Sequence, residues 1–553
     1  MDTPYEIAEL FNSYFQSVFI NDNNRDNYPP CQYFTDNILN NINITSNEVL
    51  NLLKSIDVTK SSGPDDIPGS ILVKCATELS TPLTILLNTS LRTGVFPTYF
   101  KYANITPVLK SGDRSLAKNY RPISLLNLFS KVFEVIIHNN LFEHIKHVIS
   151  DCQHGFFAGR STATNLICYL DRISGEISGG RQVDSIYLDF KKAFDSVSHP
   201  LLLYKLRFYG ITGPLYNWFE SYLTARKQRV VINGQASRWC SVTSGVPQGS
   251  ILGPALFIMY INDIVNCINH SCISLYADDS KIFHPIKSAS SCKQLQSDLN
   301  CIITWCKIWK LNLNLDKCQI ISFTNKKSSI KLVYRIGRVP IKRVSAVRDL
   351  GIYLTSNLSF NTHINLIVNQ AFKMLGFLKR TCKPFSNINA LKLLCVSYVR
   401  SQLDYCSQIW SPHQNYLIIK LERVQKRFIK FLCVRAGIGY ISSQYANICK
   451  HFGIQTLKHR RDISDLCFLH KCLNNIYNCS YIVSVIPFHA PSRHFRAFQY
   501  FRCPNSRINI RQYSFIPRAC SLLNNIFMVC PELDLFSRAS IFKSKHVSHF
   551  NNY

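Results

Sequence analysis

Two adjacent carboxylates, Asp278 and Asp279, lie in Tyr276-Ala277-Asp278-Asp279, between the apolar runs 272–276 and 281–283. Neighbouring carboxylates at a turn repel each other, and Asn-Gly would make the same turn without that cost. A cation therefore belongs beside them. The dipeptide alone also suits a solvated turn, but flanks of strand type make it a rigid hairpin that projects both side chains. Asp189 supplies a third carboxylate at the end of the alternating segment 185–189. If that strand neighbours the hairpin, Asp189 and Asp278 converge on an oxygen-rich site suited to Mg2+. Two such ions about 3.5 to 4 Å apart can activate an attacking hydroxyl and stabilise a leaving pyrophosphate. Asp195 stands just before an apolar helix pattern and reads as its cap.

A second unusual segment is Ser244-Gly245-Val246-Pro247-Gln248-Gly249-Ser250-Ile251-Leu252-Gly253-Pro254. Its glycines let backbone approach a ligand closely, and the apolar run after it reads as a helix whose N-terminus can face phosphate or a base. A turn before a core helix is the plainer alternative. No Gly-Lys-Ser/Thr follows, so this is not a Walker A loop.

The elements that must hold these groups follow from the patterning. Between 185 and 354, strand and helix patterns alternate as in α/β or α+β chains. His199-Pro200 opens a helix over 201–209, and segments 229–232 and 241–242 flank the hairpin signal Asn233-Gly234. Beyond 354 the pattern is helical. Leu417, Leu421, Val424, Phe428 and Leu432 share one face, and Lys420, Arg423, Arg427 and Lys430 another. A merely solvated charged face is the bland reading; the scarcity of acids nearby favours phosphate contact. At the N-terminus, residues 7–19 form a short helical pattern and 21–30 a polar linker.

Composition narrows the partners. The 553 residues carry a net charge of +30, and residues 354–553 hold 26 Lys and Arg against 6 Asp and Glu. Such a field attracts a polyanion. A 46% hydrophobic, 12% aromatic chain excludes disorder as the main state and suits three or four domain-sized units. Asp2, Glu6 and Glu9 exclude a signal peptide, and the best apolar run, 251–261, falls short of the ~18 to 20 residues of a spanning helix. The 22 cysteines are scattered, as small buried hydrophobes are. Cys467, His470, Cys472 and Cys479 lack zinc spacing and read as an amphipathic core helix.

Three segments in order, Ile186 to His199 with Asp189, the Ser-Gly-Val-Pro-Gln-Gly-Ser loop and Tyr-Ala-Asp-Asp, resemble motifs A, B and C of reverse transcriptases of non-LTR (LINE-type) retrotransposons, in the jockey/CR1-like group. The resemblance extends to 60–65 and 119–125 as finger motifs, and to 153–156 with 159–162 as a template-contacting motif. It continues through 311–314 with Lys317-Cys318 as motif D and Asp349-Leu350-Gly351-Ile352 as the primer grip, and into 404–410 and 514–518 downstream.

The resemblance implies an α+β right-hand polymerase: fingers, palm with an antiparallel sheet, helical thumb, and a basic, mostly helical C-terminal extension. The expected divisions are a leader at 1–45, fingers and palm at 46–355, a thumb-like region at 356–435 and the extension at 436–553. It implies RNA-directed DNA polymerase activity, extending a primer 3′-hydroxyl with dNTPs on an RNA template. Asp189, Asp278 and Asp279 would bind two Mg2+ ions, with Mn2+ as a substitute. Lys317 would protonate pyrophosphate. Lys110 and Arg121 would contact the triphosphate, Phe194 would bar a ribose 2′-hydroxyl, and Gln248 would bear on nucleotide or template. Arg160, Lys420, Arg423, Arg427 and Lys430 would touch nucleic acid. Complete elements carry an endonuclease ahead of the polymerase. With about 45 residues before the first finger motif, the expectation is a truncated protein without that activity, served by an endonuclease in trans if at all, in nucleus or cytoplasm. The competing readings are a catalytically inactive nucleic-acid-binding remnant or host-retained protein, and an RNA-dependent RNA polymerase, which Phe194 and Ala277 disfavour.

Overall fold

The computed structural model describes residues 3–20, 28, 35–489, 499–503, 505–530 and 533–543. The polar stretch 21–30 therefore lies, but for Tyr28, outside the described residues. A five-stranded sheet, at the position expected for a palm, has the order Lys342–Val344, Gln319–Phe323, Gln182–Leu188, Asp279–Ile286, Cys272–Tyr276. All neighbours are antiparallel except the first pair. Each central strand is buried on both faces, which is why Ile186, Ile282 and Ile320 face one core and Val183, Phe283 and Ile321 the other.

The first core lies between this sheet and a set of helices that includes Leu128–Ile145 and the apolar Leu252–Ile261. A second sheet sits beside it, with Tyr102–Leu109 antiparallel to Tyr120–Leu126 and parallel to Arg226–Ile232. Arg226–Ile232 turns through Asn233 and Gly234, both with positive φ, into Gln235–Ala236, and Cys240–Val242 pairs lower on it. The Asn-Gly hairpin is thus present, with φ values of the twisted two-residue turn.

The second core runs from the Thr162–Ser178 helix across the palm sheet into Asn361–Thr381, Asn415–Ala436, Leu457–Leu473 and Phe515–Val529. It passes through the positions expected as boundaries at 355/356 and 435/436. Among the described residues beyond 436, the helices Leu457–Leu473 and Phe515–Val529 pack into that same core. The expected helical faces hold: Leu417, Leu421, Val424, Phe428 and Leu432 are buried, while Arg423, Arg427 and Lys430 are exposed. Among the described residues no helix is long and apolar enough to cross a membrane.

At the N-terminus, Pro4–Ser17 starts from a capping box in which Thr3 and Glu6 satisfy each other's backbone N–H groups. It buries Phe11 and Phe15 against the finger sheet in a small core with Ala103, Ile105 and Val230.

Candidate active site

Strand register brings the carboxylates to one end of the five-stranded sheet. Leu188 pairs with Ser280 and Tyr276 with Asp279, so Asp189, one residue past its strand, lies level with the turn that carries Asp278. The turn is tight: Ala277 has φ +54°. Gln153 holds it, its Oε1 accepting from the N–H groups of Ala277 at 2.9 Å and Gly155 at 2.8 Å. A Cβ on Gly155 would lie 2.4 Å from the Ala277 nitrogen, so glycine is required for this close approach. Of 153–156, the segment that the resemblance gives to template contact, Gln153 and His154 are buried, Gln153 against the turn and His154 against Thr164, while Phe156 is exposed. The glycine next to them is the one local sign of that close packing.

Asp189 Oδ2 accepts from Asn314 Nδ2 at 3.1 Å and pairs with Lys317 Nζ at 3.4 Å. Asn314 also donates its backbone N–H to the Asp189 carbonyl at 2.7 Å, so the 311–318 segment holds Asp189 from two sides. Burial raises the Asp278 carboxyl, and the neighbouring Asp189 charge adds to that, while Lys110 and Arg121 oppose it. Asp279 is pushed up to about 6, by desolvation first and then by Asp278, Asp349 and Asp189. Burial and mutual repulsion thus raise Asp278 and Asp279 together.

Among the described residues no three His, Cys, Asp or Glu side chains form a closed cage for an ion, so the expected trio does not close on one point. Asp279 is exposed and feels Lys281 and Asp349 as well as its neighbours. The donors that remain, Asp189 and Asp278, are hard carboxylate oxygens facing one another's charge. A site of one or two carboxylates completed by water and phosphate oxygens is what a small hard divalent cation takes.

The cations stand opposite. Val108 pairs with Arg121 on the finger hairpin and Lys110 follows, its N–H donating to Asn119 at 2.8 Å. Both side chains lie within electrostatic reach of Asp278. The glycine loop is fastened to the same strand, since Ser124 N–H donates to the Gln248 carbonyl at 2.7 Å. On its other side Val246 N–H donates to Phe194 at 2.9 Å and Gly245 N–H to Val197 at 2.7 Å.

Phe194 is half-buried, stacked on Phe257 with centroids 4.4 Å apart and edge-on to the exposed ring of Phe156. Gln248 Nε2 donates to Asp195 Oδ1 at 2.8 Å. Asp195 is therefore not the helix cap that its position suggests. Ser198 caps His199–Phe208, and Asp195 is buried beneath the loop, its carboxyl pushed up to about 6 by that burial. Lys192, which no sequence pattern marks, has φ +46° and feels Asp195, Lys317 and Arg121.

The residues expected on nucleic acid divide. Arg160 does not reach it: its side chain is 2% exposed and its guanidinium is spent inside the protein, on the carbonyls of Ser150, Gln153 and Asn478 and on Asp151. Lys420 donates to Asn365 at 2.6 Å. Arg427 and Lys430 crowd Lys379 of the facing helix, which, with burial as the larger cause, lowers the Lys379 ammonium. The two helices thus share a basic surface.

A family model described as reverse transcriptase (RNA-dependent DNA polymerase) matches residues 108–378. That span contains Asp189, Asp278, Asp279, Lys110, Arg121 and Lys317, though not Lys420, Arg427 and Lys430. The RNA-directed DNA polymerase from mobile element jockey of Drosophila melanogaster is 30% identical over 342 residues, 60% of this chain and 37% of that protein. The probable RNA-directed DNA polymerase from transposon BS of Drosophila melanogaster is 28% identical, over 69% of this chain and 44% of its own length. The jockey protein of Drosophila funebris is 29% identical, over 70% and 43%. The chain thus spans less than half the length of these curated relatives. A solved telomerase from Candida albicans, in complex with a fragment of telomeric RNA, aligns over 68% of this chain and 66% of its own. Its TM-score is 0.35 and its identity 12%, too loose a likeness to bear on function. Residues 108–378 thus match the reverse transcriptase family, and the chain is similar to the RNA-directed DNA polymerases of jockey and related mobile elements.

Proposed function

We propose that this chain is an RNA-directed DNA polymerase that adds dNTPs to a primer 3′-hydroxyl on an RNA template. The observation that carries the reading is the meeting of Asp189 and Asp278 at one end of the five-stranded sheet, with Lys110 and Arg121 within electrostatic reach of Asp278. Asp189 and Asp278 would hold two Mg2+ ions, Mn2+ substituting, with water and phosphate oxygens completing their coordination. When bound, such ions neutralise charge on the attacking and leaving oxygens of an in-line displacement.

The chain's own groups do the rest. Arg121 offers a planar cationic fork to the triphosphate and Lys110 a point charge beside it. Phe194, braced by Phe257, fills the space a ribose 2′-hydroxyl needs. Gln248, held by Asp195, presents the glycine loop to the nucleotide. Lys317, 3.4 Å from Asp189, would be the proton donor to the leaving pyrophosphate. Arg423, Arg427, Lys430 and Lys420 follow the backbone of the template–primer duplex with little regard to sequence. Primer extension with the purified chain, on an RNA template with dNTPs and Mg2+, tests the reading. Templated product is expected; binding without extension would leave a non-catalytic nucleic-acid-binding protein, and preference for rNTPs an RNA polymerase.

A further inference from the structure

The segment Cys152–Gly155 runs beside the catalytic hairpin like an extra edge strand. His154 N–H donates to the Leu275 carbonyl and Leu275 N–H to the Cys152 carbonyl, each at 2.9 Å, and Gln153 then reaches Ala277. That segment is in turn fixed by Arg160, whose Nη1 donates to the carbonyls of Gln153 at 2.7 Å and Ser150 at 2.8 Å. The remaining donors of the same guanidinium go to Asp151 and, at 3.0 Å, to the carbonyl of Asn478, 318 residues along the chain.

Asn478 is itself docked. Its N–H donates to the Gly159 carbonyl at 2.9 Å, Ser480 Oγ donates to Asp151 at 2.8 Å, and Tyr481 donates to the buried Asp171 of the Thr162–Ser178 helix at 3.0 Å. Gly159 has φ +77°, and a Cβ there would meet the Asn478 nitrogen at 3.1 Å. Arg160 thus joins the C-terminal region to the brace of the catalytic turn by a continuous set of hydrogen bonds.

From this geometry we infer that the 478–481 segment is part of the polymerase machinery, acting through Arg160 and Gln153 as positioning residues that set the height of the Ala277–Asp278 turn. The inference rests on the polymerase reading above. The basic C-terminal region then has a second role besides charge: it holds Asp278 in register with Asp189. An error on the order of 1 Å in such a position costs about 10²-fold in rate, while ground-state binding of the duplex, made elsewhere, is spared.

The test uses the full chain with two variants at separate points of the relay, Arg160→Met and Gly159→Ala. Steady-state extension is expected to show kcat lowered at least tenfold in each, with primer–template Kd within twofold of the parent. Amide hydrogen exchange is expected to rise in residues 275–279, with the palm strand 182–188 unchanged, which also excludes global unfolding. The inference is overturned if kcat stays within twofold in Arg160→Met, if exchange at 275–279 is unaltered, or if 182–188 loses protection equally. Should the parent chain extend no primer, the polymerase reading fails, and the exchange arm alone still decides the relay.

Discussion

Lys281 and Asp349 form a buried ion pair, Nζ to Oδ2 at 2.6 Å, with each side chain 5% exposed. Lys281 lies two residues past Asp279 on the catalytic hairpin, and Asp349 ends the strand that turns through Leu350-Gly351, the segment resembling a primer grip. Tyr187 donates to the same Asp349 oxygen at 3.0 Å, Lys281 also donates to Asn165 at 3.0 Å, and the Lys281 ammonium lies 4.3 Å from the Tyr169 ring centroid. One pair therefore ties the hairpin that carries Asp278 and Asp279 to the 346–355 hairpin.

Breaking that pair from one side leaves a buried charge without its partner. Lys281→Met is expected to destabilise the fold by about 3 to 5 kcal/mol, and Lys281→Met with Asp349→Asn by clearly less than the sum of the two single changes. Thermal unfolding of the two single variants and the double variant measures this. Additive losses would mean that the pair is not coupled.

Asp195 supplies a pH prediction. Its carboxyl titrates near 6 in the folded chain against an ordinary value of 3.8, with burial the first cause. The folded state therefore holds a proton that the unfolded state releases between about pH 4 and 6, and stability falls as pH rises through that window. The loss amounts to about 3 kcal/mol, at roughly 1.4 kcal/mol for each pH unit that separates the two titrations. Asp195→Asn keeps an acceptor for Gln248 and removes the charge, so its unfolding midpoint at pH 7 should rise and its pH dependence between 4 and 6 should flatten. An unfolding midpoint lower than the parent's at pH 7 would contradict this.

Phe194 should control sugar choice. Phe194→Val clears space beside Phe257 while remaining apolar, and the preference for dNTP over rNTP is expected to shrink on the order of 10- to 100-fold in kcat/KM. The check is single-nucleotide incorporation with matched dNTP and rNTP. An unchanged ratio would make Phe194 a packing residue.

The exposed basic face predicts a salt effect. Replacing Arg423, Arg427 and Lys430 together by Gln should weaken duplex binding at low salt and reduce the slope of log K against log salt by about 2 to 3. Fluorescence anisotropy over a salt series reads both. A parallel line with the parent's slope would show that these side chains do not meet phosphate.

What is legible in the sequence follows the range of the interactions. Strand alternation ending in Asp189, the Asp278-Asp279 turn and the Asn233-Gly234 hairpin are local patterns, and the structure has each of them. The amphipathic helix carrying Arg423 and Arg427 is equally plain. Asp195 misleads because a carboxylate before a helix looks like a cap, whereas Ser198 does that work and Asp195 is drawn under the loop by Gln248. Arg160 misleads because its partner Asn478 is remote in sequence, and no local pattern announces a guanidinium that will be buried. The same remoteness hides the packing of the C-terminal region on the Thr162–Ser178 helix.

The central claim is that Asp278, set beside Asp189 at the end of the palm sheet, is the heart of a polymerase. Extension of a DNA primer on an RNA template by parent and Asp278→Asn proteins of matched folding measures it most directly. The account predicts templated dNTP addition by the parent and a loss of about 10³-fold or more in the variant, with duplex affinity retained. A variant that extends the primer within tenfold of the parent would contradict it.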